Sequence, residues 1–174
     1  MHITFRQCEL ADAKLMREWC KQNEYTRHWY YFDKVPRLST FERKIREKKQ
    51  LKDWRFYIVQ IDGKDIGYIQ SYPVDGNGNW TKQVKVKECC ASIDYFIGDI
   101  NYIHKGLGKL ILLEYIKKQV KPLGFEYALI SPDPENTANR NLVEKCGFTY
   151  IKTVGVPFDT SKEKEAVYIK KIWI

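Results

Sequence analysis

Nowhere in the 174 residues is there an apolar run of the roughly 18 positions that a membrane-spanning helix requires, so none is expected. The opening MHITFRQCEL has neither a basic leader nor an apolar stretch behind it, which argues against a secretory signal. Five cysteines (Cys8, Cys20, Cys89, Cys90, Cys146) form no C-x-x-C pair and are odd in number. Reduced thiols in a cytoplasmic protein are the simplest reading. Three scattered histidines, His2, His28 and His104, lack metal-ligand spacing, and no metal is expected. Zinc-finger spacing and the aromatic motifs of RNA-binding sheets are missing too. The net charge of +8 favours an anionic partner. Without a motif to support it, charge alone recommends neither nucleic acid nor a membrane. The basic group at 43–49 reads as the solvated face of a helix.

What is present suits one globular domain spanning 1–174, with 44% apolar and 30% charged residues. HITFRQ alternates like a strand, and LADAKLMREWCKQ follows with helical spacing at Leu10, Leu15, Trp19 and Cys20. A charged helix is expected from Phe41 to Leu51, after Pro36. WRFYIVQID and KDIGYIQSYPV flank a Gly63 turn and read as a hairpin, whereas Asp75 to Trp80 reads as a loop. KECCASIDYFIG, EYALISP, FTYIKTVGVP and EAVYIKKIWI complete the strands, and ENTANRNLVEKCG is a helix ending at Gly147. The order βααββ followed by βαβαββ predicts an α/β fold, a mixed sheet with helices packed on its faces. Its strand–helix–strand portion is expected to be parallel.

The stretch IHKGLGKLILLEYIKKQ at 103–119 sets Gly106 and Gly108 on either side of Leu107, just before an apolar helix. His104, Lys105 and Lys109 add positive character. A helix N-terminus offers unpaired amides and the positive end of its dipole, and glycine lets a ligand approach the backbone. The segment therefore suits a pyrophosphate. It is neither a G-x-x-x-x-G-K-[ST] loop nor a G-x-G-x-x-G fingerprint. A glycine turn that only allows close strand–helix packing remains the alternative at this stage.

Farther along, SPDPENTANRNLVEKCGF leads from a proline-rich turn into a helix carrying Asn136 and ending at EKCGF. Together with SIDYFIGDINYIHKGLGKLIL, in this order and about thirty residues apart, it resembles the GNAT acyltransferase superfamily. Within that superfamily the chain is most similar to the aminoglycoside 6′-N-acetyltransferase branch. MREWCKQ, IGYIQSY, IDYFIG, KGLG and EKCGF carry the likeness.

The resemblance implies a GNAT-like splayed sheet with helices on both faces, acetyl-CoA as cofactor, and direct transfer to a small-molecule amine by a monomer or homodimer. It casts Asp94 as the catalytic base and amine anchor. The backbone of Phe96 and Ile97 would pair with pantetheine. His104, Lys105, Gly106, Leu107, Gly108 and Lys109 would hold the pyrophosphate. Asn136 would lie near the sulfur, unless it is simply a helix cap. Trp29, Tyr30, Asp33, Gln70, Tyr72, Asp75 and Trp80 are the acceptor-site candidates, although their aromatic members also suit a core. Two positions depart from the family pattern. Val143 replaces its usual tyrosine acid, and Ser131 replaces an acidic residue of the acceptor site. A different acceptor (a polyamine, an amino acid, a siderophore precursor) and an idle coenzyme-binding module are the competing readings.

Overall fold

A computed structural model describes residues 1–31, 33–74, 79–86, 89–155 and 164–172. The strands are β1 (Ile3–Gln7), β2 (Arg55–Ile61), β3 (Lys64–Pro73), β4 (Cys90–Ile97), β5 (Tyr127–Ile130), β6 (Thr149–Gly155) and β7 (Lys164–Lys171). The α-helices among the described residues are α1 (Asp12–Gln22), α2 (Glu24–Tyr31), α3 (Leu38–Lys49), α4 (Asn79–Val84), α5 (Leu107–Tyr115) and α6 (Thr137–Lys145). Hydrogen bonding orders the strands β1-β2-β3-β4-β5-β7-β6 in one mixed sheet, the α/β architecture expected from the element order. Two helices are additions to that expectation. α2 follows α1 directly, and α4 begins inside the segment read as a loop.

The chain divides into two compact units, Met1–Gln70 with Tyr95–Leu107, and Ser71–Asp94 with Gly108–Ile174. In the first, β1 and β2 pair antiparallel from Ile3↔Ile61 to Gln7↔Tyr57. β2 turns into β3 through Asp62 and Gly63, both at positive φ (50° and 81°), the pattern of a two-residue type I′ hairpin. Ala13, Met16, Trp19 and Cys20 form the buried stripe of α1, and Leu10 is exposed rather than part of it. Phe41 and Ile45 of α3 join that stripe, with Phe56, Ile58, Tyr68 and Phe96 from the strands. Arg6 braces the unit by pairing with Asp12 at 2.7 Å and Asp65 at 2.6 Å.

In the second unit β5 lies parallel to the start of β4, as the strand–helix–strand pattern requires. That pairing runs only from Cys90↔Tyr127 to Ser92↔Leu129, although β4 itself continues to Ile97. β7 is antiparallel to both β5 and β6, and the β6–β7 register slips between Tyr150 and Lys152. α6 ends at Gly147 (φ 84°) in a Schellman motif, Gly147 N–H donating to Glu144 O and Phe148 N–H to Val143 O.

Candidate functional site

The first unit holds the end of β4 and the loop behind it. Asn23 is completely buried between α1 and α2, and its Oδ1 accepts the Thr26 amide at 3.0 Å, capping α2. Its Nδ2 donates to the carbonyls of Ile97 (3.0 Å) and Gly98 (3.2 Å), and Thr26 Oγ1 donates to Ile97 O at 2.9 Å. The Ile97 carbonyl thus already accepts two side-chain donors. The expected pantetheine pairing at this residue therefore narrows to its amide. Thr26→Val, which keeps the shape and removes the donor, is expected to cost about 1 kcal/mol in urea unfolding. Unchanged stability in that variant would remove the bond from the account of this strand end.

Beyond Gly98 the chain makes a 3-10 turn at Ile100–Tyr102, with the Asp99 carboxylate accepting the Asn101 amide at 2.8 Å. Partial burial pushes the Asp99 carboxyl up, but the Lys64 ammonium at 2.9 Å and the Asn101 donors outweigh it and hold it below its ordinary value. Lys64 and Lys105 both lie over the Tyr102 ring, at 5.0 and 5.8 Å. His104 (φ 57°) meets the edge of Tyr25 at 5.8 Å, which ties the loop to α2. Gly106 follows at φ 71°, exposed, and a Cβ built there would touch no atom of the described residues within 4 Å. Close packing against protein therefore does not require this glycine. Its left-handed backbone does. α5 begins at the next residue with Lys109 exposed in its first turn, so the amides of the helix start lie beside the strained loop.

In the second unit Asp94 is half-buried on β4. The Tyr72 phenol is pushed well above its ordinary value, by burial first and by the Asp94 charge next, so it stays protonated at every physiological pH. The Ser92 hydroxyl, fully buried, lies near that phenol without making a well-aligned hydrogen bond. Asn136 is buried and caps α6, its Oδ1 accepting the Asn139 amide at 3.0 Å. Val143 is wholly buried and apolar.

The remaining acceptor candidates separate clearly. Tyr30 packs edge-on against Phe96 at 4.8 Å and serves the core of the first unit. Trp29 meets His28 at 4.5 Å, and His28 in turn contacts the exposed Asp33 carboxylate at 3.0 Å, so these three residues form a local cluster on and just after α2. Gln70 is buried, with Oε1 accepting from Lys48 Nζ at 2.5 Å and from Tyr68 Oη at 2.9 Å. Asp75 and the side chain of Trp80 lie outside the described residues.

Sequence reasoning passed over Asn23, Thr26 and Lys48. Asn23 carried a signal, because asparagine immediately before Glu24 is a standard helix start. Lys48 carried one as well. It stands seven residues after Phe41 and three after Ile45, on the buried stripe of α3 rather than its solvated face.

Residues 9–156 match the family model described as an acetyltransferase (GNAT) domain. Aminoglycoside N(6′)-acetyltransferases type 1 of Klebsiella pneumoniae and Serratia marcescens are each 23% identical over 156 residues, covering 89% of this chain and 78% of theirs. A crystal structure of an aminoglycoside 6′-acetyltransferase of the Ib type in complex with coenzyme A superposes with a TM-score of 0.82. It is 20% identical and covers 98% of this chain and 95% of its own. An uncharacterised Bacillus halodurans protein superposes at 0.85 with 18% identity, covering 97% of this chain and 83% of that one.

Proposed function

The chain belongs to the GNAT acetyltransferase family, and on that footing we propose that it passes the acetyl group of acetyl-CoA directly to a primary amine of a small aminated acceptor. Bound acetyl-CoA supplies an acyl carbon activated as a thioester. The residues around the helix start fit its diphosphate. Gly106 holds a backbone conformation that only glycine adopts without strain, with open space above it. The amides of Gly106 and Gly108 together with the first turn of α5, flanked by His104, Lys105 and Lys109, would grip the diphosphate. Phe96 and the Ile97 amide would take the pantetheine by strand-like pairing, beyond the point where β5 pairing stops. Asn136 would approach the sulfur end from the start of α6.

An ammonium has no lone pair for attack, so the acceptor must lose a proton first. Asp94 is the group assigned to anchor the ammonium by a charge-assisted hydrogen bond and to accept that proton. Tyr72, protonated beside the Asp94 charge, remains a donor throughout and does not compete for it. Val143 has no proton to give, so the coenzyme would leave as a thiolate, a fairly good leaving group, and take its proton from water. Burial also pushes the Cys8 thiol up to about 12 and raises those of Cys20 and Cys146, which speaks against an acyl-cysteine relay at these three positions. Among the described residues no helix is long and apolar enough to cross a membrane, and a cytoplasmic monomer or homodimer is the setting proposed.

The observation that carries this reading is the left-handed, uncovered Gly106 at the start of α5, within the matched family region. Coenzyme thiol release, measured with a panel of primary amines that includes kanamycin and polyamines, tests it directly. Gly106→Val places a branched side chain where φ is 71°. It is expected to raise the KM for acetyl-CoA about tenfold, from roughly 1–2 kcal/mol of backbone strain, with little change in kcat. A protein that gives no heat on titration with coenzyme A, or releases no thiol with any amine, would defeat the assignment.

A further inference from the structure

On the acetyl-transfer reading, on which the present inference rests, Asn136 meets the sulfur end of the coenzyme from the start of α6. That start is reached through the turn Pro132-Asp133-Pro134-Glu135, which follows the end of β5. Inside the turn the Asp133 carboxylate accepts the Glu135 amide at 2.9 Å, and the Asp133 carbonyl accepts the Asn136 amide at 3.0 Å. These bonds are local and shape the turn without anchoring it.

Two links anchor it to β7. Ala166 N–H donates to Pro132 O at 2.9 Å. The second link runs through Arg140, whose Nη1 donates to Pro134 O at 3.1 Å and whose Nε donates to Tyr168 Oη at 2.9 Å. Arg140 stands one helical turn after Asn136, and its backbone amide donates to the Asn136 carbonyl at 3.0 Å. Helical side chains lean toward the N-terminus, so the guanidinium reaches back over the turn that precedes its own helix. Tyr168 is wholly buried and lies opposite Tyr150 of β6, with ring centres 5.6 Å apart. Burial first, opposed by Arg140 and assisted by Glu144, keeps its phenol above the ordinary value. The hydroxyl therefore stays intact, accepting from Arg140 and donating to Glu144 Oε1 at 3.0 Å.

The placement runs against local preference. A cation near a helix start opposes the helix dipole, typically by about 0.3–1 kcal/mol. A methionine would carry a similar apolar stem without that cost, and it could not join Pro134 to Tyr168. In the sheet β5 separates β7 from β4, the strand of Asp94, so Arg140 can influence transfer only through the turn it holds.

We propose that Arg140 and Tyr168 are positioning residues, whose hydrogen bond clamps the Pro134 turn to β7 and so aims the Asn136 side chain at the coenzyme sulfur.

The test uses the full chain, with kcat and KM from thiol release and stability from calorimetric melting. Arg140→Met and Tyr168→Phe are each expected to lower kcat about tenfold, the effect of one misplaced hydrogen bond in the transition state, with the KM for acetyl-CoA within about twofold of wild type. Combined, they should be no slower than the worse of the two, because they cut one link. Asn136→Ser keeps a capping oxygen and removes the side-chain amide. In that background Arg140→Met should cost less than about twofold. A brace that serves stability alone would lower Tm and leave kcat within about twofold, or would carry its full kcat penalty into Asn136→Ser; either result overturns the proposal. If Arg140→Met fails to bind coenzyme A and so has not folded, Tyr168→Phe, alone and with Asn136→Ser, decides. A second readout needs no turnover. In amide spectra of isotope-labelled protein the Asn136 side-chain signal, identified by its loss in Asn136→Ser, should shift on saturation with coenzyme A, and about half as far or less in Arg140→Met and Tyr168→Phe. An Asn136 signal that ignores coenzyme A, or that shifts as far in both variants as in wild type, overturns the clamp. The expected shifts without thiol release from any amine would defeat acetyl transfer and leave the clamp standing.

Discussion

Asp94→Asn is expected to lower kcat by about 10²- to 10⁴-fold, the usual contribution of a positioned general base, while coenzyme A binds as tightly as to the wild type. Asparagine keeps the size of the side chain and its place on β4, so the strand should not shift. What disappears is the capacity to accept a proton and the charge that holds an ammonium. The deficit should depend on pH. Near neutrality almost all of a primary amine is protonated, and a base bound beside it matters most. As the pH approaches the amine's own pKa, solvent supplies more of the neutral form, so the ratio of wild-type to variant rates should narrow. Stopped-flow or steady-state thiol release between about pH 6 and 9 would trace this. A variant that keeps its rate within about threefold at pH 7, or a deficit that does not change with pH, would remove Asp94 from the proton transfer.

Much of the fold around the candidate site could be read before its geometry was known, for identifiable reasons. Positive φ at Gly63, Gly106 and Gly147 is a demand that only a few residues satisfy, and each of these glycines marks the turn it was expected to mark. The strands of the hairpin and the parallel β4–α5–β5 passage likewise follow from alternation and length. α2 was missed because EYTRHWYY has no apolar stripe: its one fully buried residue is Thr26, and its aromatics contact one another and the neighbouring core. α4 is only six residues long and follows two glycines, so turn chemistry hid it. Lys48 was obscured for a different reason. All six residues at 43–49 other than Ile45 are charged, and composition does not say which one turns inward; the spacing from Phe41 and Ile45 does. The double duty of Asn23, capping α2 while holding two carbonyls more than seventy residues away, is a tertiary fact that no local pattern encodes.

Gly67→Ala should be a strongly damaging single-atom change in the first unit. A Cβ at this position of β3 would lie 2.4 Å from the Phe96 carbonyl oxygen and 3.1 Å from the Ile97 Cα. Both obstacles are backbone, so no rotamer change can clear them, and β3 and β4 would have to part. Resistance to parting is strong here. Gly98 N–H donates to Ile66 O at 2.8 Å, Asn23 and Thr26 pin the Ile97 carbonyl, and Phe96 is stacked on Tyr68 with ring centres 5.7 Å apart. Overpacking of this kind costs about 1–3 kcal/mol. In a chain of 174 residues that corresponds to a fall in Tm of roughly 2–12 °C. The displaced segment also holds the Phe96 and Ile97 backbone assigned to pantetheine, so the KM for acetyl-CoA should rise with the loss of stability, whereas Thr26→Val should affect stability with a smaller change in KM. Calorimetric melting alongside acetyl-CoA kinetics separates these effects. A Gly67→Ala protein with wild-type Tm and wild-type KM would mean that the two strands are not held as closely as their hydrogen bonds and ring stacking imply, and would take away the rigid edge on which the proposed coenzyme positioning depends.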